Sequence, residues 1–108
     1  MTKEGIEALR KVRVCAKTVR HLEELSGSDV YNLPYFKGLI KKRREELKAC
    51  EEMAQPHLDD LTPIEYAFVS AYFFGGLKLE EVSKMIDRSS RQCARLRSKF
   101  GKWDDQDR

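Results

Sequence analysis

The chain has 108 residues, of which 41% are hydrophobic and 36% are charged, and its net charge is +3. This length suits one domain or two very small ones. No apolar run approaches the ~20 residues that a membrane-spanning helix needs, and the first residues lack the apolar core of a signal peptide, so we expect a cytoplasmic protein with no membrane partner.

The first half of the sequence predicts two long helices. From Thr2 to about Leu25, apolar residues recur at alternating steps of four and three, which is a heptad-like seam. Gly27 is the predicted stop. A second helix is predicted from Pro34 or Tyr35 to Gln55, where Pro56 ends it. Two such helices joined by a short loop predict an antiparallel hairpin over residues 1–58.

The hairpin cannot bury its apolar residues by itself. Its two seams make only a thin core, and Arg43 occupies one seam position in the second helix. Two basic runs, Arg10 to Arg20 and Lys37 to Arg44, are each followed by acids and are interpreted as solvated helix faces. The hairpin must therefore pack on the rest of the chain or on a second copy, and we expect it to be the oligomerisation element of a homodimer.

A third helix begins with a strong local signal. In the segment LTPIE, Thr62 is placed at the N-cap, Pro63 at the first helical position and Glu65 three residues after the cap, which predicts a capping box. The helix is predicted to run to about Phe74 and to stop at Gly75. It is apolar nearly all round, which predicts burial on both sides.

Two faces are expected on this third helix. One face, which includes Phe68 and Tyr72, can serve the C-terminal helices. The other face must meet the hairpin or a partner subunit, and it is the predicted interface. Its members are Tyr66, Val69 and Phe73.

The last part of the chain predicts a short helix over Leu79–Ile86, a polar turn at Asp87–Ser89, and another helix from Ser90 to Phe100 or beyond. At about 100° per residue, Cys93, Leu96 and Phe100 share one arc, which predicts the buried stripe. The residues 84–103 carry seven basic side chains against the single acid Asp87. Two short helices joined by such a turn predict a helix-turn-helix, which we place within a three-helix module over residues 59–103 of an all-α fold. The tail, 104–108, is expected to be frayed.

The arginines of this last helix indicate a polyanionic partner. Arg91 and Arg95 are like charges at i,i+4, which cost a few tenths of a kcal/mol on an isolated helix and which double-stranded DNA would offset. Arginine reads guanine and glutamine reads adenine, so Arg91, Gln92 and Arg95 are predicted to contact bases. Phosphate contacts are assigned to the turn and to the later part of the helix. The residues so assigned are Arg88, Ser89, Arg97, Ser98, Lys99 and Lys102.

The stretch LTPIEYAFVSAYFFGGLKLEEVSKMIDRSSRQCARLRSKF resembles region four of bacterial sigma factors. The shared features are the LTP-x-E start, the aromatic pattern of Tyr72–Gly75, the LEEV opening and the turn at Asp87. The resemblance covers about 61–103 and implies that Ser90, Arg91 and Arg95 touch promoter bases. Those factors carry arginine, glutamate and glutamine at these positions, so we do not expect recognition of their usual upstream promoter element. The whole layout is similar to small phage and prophage regulators related to the ArpU group.

Three functions remain open at this point. The first is a sequence-specific, DNA-binding transcriptional regulator of phage or prophage type, dimeric through the hairpin. The second is a DNA-binding packaging or assembly subunit, in which the two long helices build a ring. The third is an adaptor that uses the C-terminal module to bind RNA polymerase.

Catalysis and metal binding are not expected. The sequence has no Ser/His/Asp or Cys/His set, and adjacent acids such as Glu80 and Glu81 point about 100° apart on a helix and do not converge on a substrate. His21 and His57 have no partner at metal-ligand spacing, and three widely separated cysteines predict reduced thiols. We therefore expect no cofactor and no metal.

Overall fold

A computed structural model describes residues 2–25 and 34–101, and the described part of the chain is all-α without a strand. Its helices are α1 (Lys3–Leu25), α2 (Pro34–Ala54), α3 (Pro63–Val69), α4 (Leu79–Met85) and α5 (Ser90–Ser98), with a 3₁₀ turn at Gln55–Leu58 and a π-helical turn at Ser70–Phe74. Over these residues, no helix is long and apolar enough to cross a membrane. The predicted stop at Gly27, the loop before Pro34 and the tail 104–108 lie outside the described residues.

α1 and α2 pack side by side and run in opposite directions. Near the end of α1, Glu23 accepts from Arg44 of α2 at 2.9 Å and 3.0 Å, whereas in the middle of α1 the thiol of Cys15 lies 3.7 Å from that of Cys50. Later residues of α1 therefore contact earlier residues of α2, which shows that the two helices are antiparallel. The discordant Arg43 stays half-buried and bonds to Glu46 at 2.8 Å, one turn further along the same helix.

One hydrophobic core serves all five helices. It joins Leu9 and Val12 of α1, Ala54 at the end of α2, and the aromatic residues that follow Pro63, and it continues into α4 and α5. Burying a large apolar side chain stabilises a small domain by about 1.5–3 kcal/mol, so a shared core ties the helices together strongly. The two units predicted on either side of residue 58 share this core.

The start of α3 agrees with its local signal. Thr62 is the N-cap, its hydroxyl accepts from the backbone N–H of Glu65 at 3.4 Å, and the Glu65 carboxylate accepts from the N–H of Thr62 at 3.0 Å. The predicted capping box is confirmed. It satisfies backbone donors that have no partner in the first turn of a helix.

The end of this helix differs from the prediction, because the chain changes to π-helical geometry after Val69. The N–H of Gly75 donates to the carbonyl of Ser70 at 2.9 Å, five residues back. A π turn contains an extra residue, so it rotates the following side chains away from the positions that an α-helix would give them.

The aromatic residues of this segment are not divided cleanly between the two predicted faces. Tyr72, expected to serve the C-terminal helices, lies under the guanidinium of Arg13 of α1, 3.6 Å from ring centroid to Cζ. Phe73, expected to face the hairpin, meets Phe100 edge-on at 5.6 Å between centroids. Phe68 stacks on both Tyr72 and Phe100, at 5.2 Å and 6.1 Å. The aromatic residues form one cluster between α1 and α5.

Arg13 joins α1 to the end of the π turn. Its side chain is only 2% exposed, and its Nη1 donates to the carbonyls of Tyr72 and, at 3.0 Å, of Leu77. These carbonyls belong to a helix end, where acceptors lack intrahelical partners. The interpretation of the run Arg10 to Arg20 as a solvated face is therefore wrong at Arg13. Its guanidinium is buried and donates to these carbonyls in place of water.

Candidate nucleic-acid interface

A tight turn joins α4 to α5. Asp87 adopts a left-handed backbone with φ of 53°, a conformation that aspartate tolerates better than most residues. The N–H of Arg88 donates to the carbonyl of Ser83 at 3.0 Å, which closes the end of α4. Ser89 then caps α5. The polar segment Asp87–Ser89 therefore forms the predicted turn.

The buried stripe of α5 orients the opposite side of the helix toward solvent. Cys93 and Leu96 of α5 are buried, as their shared arc predicts, and so is Phe100, although α5 ends at Ser98, before the predicted end. Arg91 and Arg95 lie on the other side and are exposed. Packing of the stripe thus determines which side chains of α5 a ligand can reach.

Three exposed arginines form what we call the arginine surface: Arg88, Arg91 and Arg95. Within the part of the chain that the structure describes, no acid pairs with any of them, since the ion pairs found there use other cations. Arg88 donates to the neighbouring carbonyl of Asp87 at 3.0 Å. The surface is a concentration of cationic donors on the turn before α5 and on the exposed side of α5.

Lys99 differs from the arginines, because it has an acidic neighbour from another helix. Its Nζ lies 3.8 Å from Oε2 of Glu65. The absence of acids along α5 therefore does not extend to the space around α5. A phosphate contact by Lys99 would compete with this ion pair, in which the lysine is exposed and the glutamate is half-buried.

Gln92 and Ser89 are already engaged with each other. The N–H of Gln92 donates to Oγ of Ser89 at 3.2 Å, and Oε1 of Gln92 accepts from the N–H of Ser89 at 3.1 Å. The sequence analysis assigns Gln92 to adenine and does not predict this capping box. Adenine recognition needs both atoms of the amide, so Gln92 could read a base only by sharing or releasing its cap contact.

The remaining predicted contacts occupy varied positions. Ser90 is exposed in the first turn of α5, and Ser98 is exposed but donates to the carbonyl of Ala94 at 2.9 Å. Arg97 is half-buried and lines a shallow groove with Lys78 and Glu80 at the start of α4. Lys102 lies outside the described residues.

The predicted interface residues are placed unequally. Val69 and Phe73 are buried in the common core together with Leu9 and Val12 of α1. Tyr66 is 45% exposed and borders a groove beside Pro56 and the end of α2. A contact across a dimer could therefore involve Tyr66, whereas Val69 and Phe73 are covered within one chain.

Arg13 supports the segment beneath α5, and the sequence analysis does not predict this role. A signal was present, since Arg13 shares a helical arc with Leu9 and Ala16 and is thus placed beside the core stripe of α1. It holds the segment that supports the aromatic cluster under α5. Among the described residues, no group of three or more metal-ligating side chains could hold an ion.

Comparisons of this chain with protein-family models, with curated proteins and with solved structures find no match. We therefore infer its function from the residues of the surface alone.

Proposed function

We propose that this chain is a sequence-specific DNA-binding regulator of transcription, of the phage or prophage type. In this proposal α4, its turn and α5 act as a helix-turn-helix, with α5 as the recognition helix. α1 and α2 act as a hairpin that supports a homodimer in the cytoplasm. The role is one of binding and requires neither a catalytic group nor a cofactor.

The observation that carries the proposal is the arginine surface. Arg91 and Arg95 are exposed one turn apart and no acid pairs with either among the described residues. Like charges at this spacing repel, and a solvated helix face normally relieves the repulsion with acids. DNA phosphates would relieve it here, and arginine forks would be free to meet guanine O6 and N7.

The dimensions of α5 suit this role. With its side chains an α-helix is about 10–12 Å in diameter, and the major groove of B-DNA is about 12 Å wide, so α5 (Ser90–Ser98) can lie in the groove. The N-terminal end of α5 also favours a nearby phosphate, because the helix dipole is positive there. The side of α5 that carries Arg91 and Arg95 would thus meet base edges, and Lys99 would lie beside the DNA backbone.

A selection of binding sites from random duplex DNA tests the proposal. Affinities on the selected site and on a random duplex are then compared for wild type, Arg91→Ala and Arg95→Ala. Each substitution should cost about 1–3 kcal/mol on the selected site and much less on the random duplex, because base contacts specify sequence. Lys99→Ala should instead weaken both complexes alike and lower the salt slope by about one.

Lys41→Ala is the matched control, since Lys41 is an exposed cation on α2. It should leave the preference for the selected site unchanged. Equal losses on both duplexes for Arg91→Ala and Arg95→Ala would show that these residues do not read bases. If wild type binds no duplex even at low salt, the DNA-binding function is wrong, and the adaptor function with RNA polymerase as partner would be the next to test.

A further inference from the structure

Two thiols meet where α1 packs on α2. Sγ of Cys15 lies 3.7 Å from Sγ of Cys50, which is hydrogen-bonding distance for sulfur, and both thiols are free. A disulfide has an S–S distance of about 2.05 Å, so the two atoms need to approach by less than 2 Å in total. Rotation of two half-buried side chains can supply part of this movement without unpacking either helix.

Both thiols are half-buried, but only Cys50 borders a groove. Cys50 lines a groove of about 200 Å³ that is bordered by α1 and α2, together with Ala8, Met53 and His57. Cys15 does not line it, and burial, with the neighbouring Cys50 second, raises the pKa of the Cys15 thiol. Cys93 is fully buried in the core. A small oxidant would therefore meet Cys50 first.

We propose that Cys15 and Cys50 form a redox-sensitive latch, an intramolecular disulfide that staples α1 to α2 when a peroxide is present. The Cys50 thiolate attacks a peroxide oxygen, the O–O bond breaks, and Cys50 becomes a sulfenic acid with release of water. The Cys15 thiolate then attacks the Cys50 sulfur and expels its hydroxyl as a second water. The two thiols lose two electrons and two protons in total, and one hydrogen peroxide is reduced to two waters.

The latch would act on the stability of the α1–α2 pair. The two cysteines are 35 positions apart, and closing a loop of that length restricts the unfolded chain far more than the folded one. The oxidised protein should therefore melt about 10 °C or more above the reduced protein. This property is independent of what α5 binds.

The test treats the full-length chain with hydrogen peroxide and maps disulfides by mass spectrometry of non-reduced peptides. We expect a loss of two hydrogen atoms from the monomer, a cross-link between the peptides that contain Cys15 and Cys50, and an unmodified Cys93. Dithiothreitol should reverse both the cross-link and the rise in melting temperature.

Cys15→Ser and Cys50→Ser are the paired variants, and neither should show a rise in melting temperature after oxidation. Oxidised Cys15→Ser should instead accumulate sulfenic or sulfinic acid on Cys50. The proposal is overturned if wild type gives a sulfinic acid on Cys50 without the cross-link, or a disulfide between two chains. It is also overturned if the cross-linked protein melts no higher than the reduced one.

Discussion

At the scale of single residues, Glu65 connects a titration to stability. Its carboxylate accepts from the N–H of Thr62, and this hydrogen bond, assisted by the Thr62 hydroxyl and by Lys99, lowers the pKa of Glu65 below its ordinary value. A lowered folded-state pKa contributes stability above the unfolded value of about 4.3. The contribution is lost as pH falls through the folded-state pKa.

Glu65→Gln should therefore reduce stability near neutral pH and not in acid. Glutamine keeps the geometry of the capping box but removes a charge from the first turn, which costs about 0.3–1 kcal/mol. Urea unfolding of wild type and Glu65→Gln, from about pH 7 to about pH 3, measures this difference in the free energy of unfolding. The control is Glu52→Gln, an exposed glutamate of α2. A Glu65→Gln deficit that persists undiminished in acid would exclude the carboxylate as its cause.

At the scale of elements, Gly76 determines how the π turn ends and how closely α1 approaches it. Its φ is +67°, and a Cβ at this position would lie 3.1 Å from backbone atoms of Ala16 and Lys17. Gly76→Ala should destabilise the protein by at least about 1–2 kcal/mol, because a left-handed backbone is costly for alanine. The crowding against α1 adds to this cost.

Gly38→Ala is a control with the opposite sign. Gly38 lies within α2, and a Cβ there would meet nothing within 4 Å. This substitution should stabilise the protein by about 0.5–1 kcal/mol, because alanine loses less backbone entropy in a helix. Thermal or urea unfolding of both variants measures the expected loss of stability in Gly76→Ala and the expected gain in Gly38→Ala. A neutral Gly76→Ala would mean that α1 does not pack against this backbone.

At the scale of the whole molecule, Phe73 tests how the core joins the helices. The ring is fully buried and packs on Phe68, Tyr72 and Phe100 of the same chain. Phe73→Ala should lower stability by about 3–5 kcal/mol at any protein concentration. The proposed homodimer adds a separate expectation, since an obligate dimer melts at a temperature that depends on concentration.

Melting of wild type, Phe73→Ala and Tyr66→Ala at two concentrations separates these effects. Tyr66 is the matched aromatic residue, because it lies in the neighbouring helix but is 45% exposed. If Tyr66→Ala removes a concentration dependence that wild type shows, a dimer contact through Tyr66 is supported. If no protein shows such dependence, the obligate dimer is wrong, whereas a stable Phe73→Ala would contradict the packing of the core.

Local signals in the sequence were sufficient for the helices and for part of the candidate site. The apolar periodicity predicts α1 and α2 closely, and Thr62 with Glu65 predicts the start of α3, because caps and periodic stripes act within a few residues. The stripe of Cys93, Leu96 and Phe100 predicts which side of α5 is buried. The exposure of Arg91 and Arg95 follows from that stripe alone.

Only the tertiary structure decided which distant residues meet. Tyr72 lies under Arg13 and Phe73 lies against Phe100 in a π turn, and periodicity cannot anticipate that turn, because an α-helical pattern assumes a constant rotation per residue. The pairing of Lys99 with Glu65 likewise depends on how α5 crosses α3. Such contacts are set by the packing of one helix on another, and a pattern read along a single helix contains no information about its neighbours.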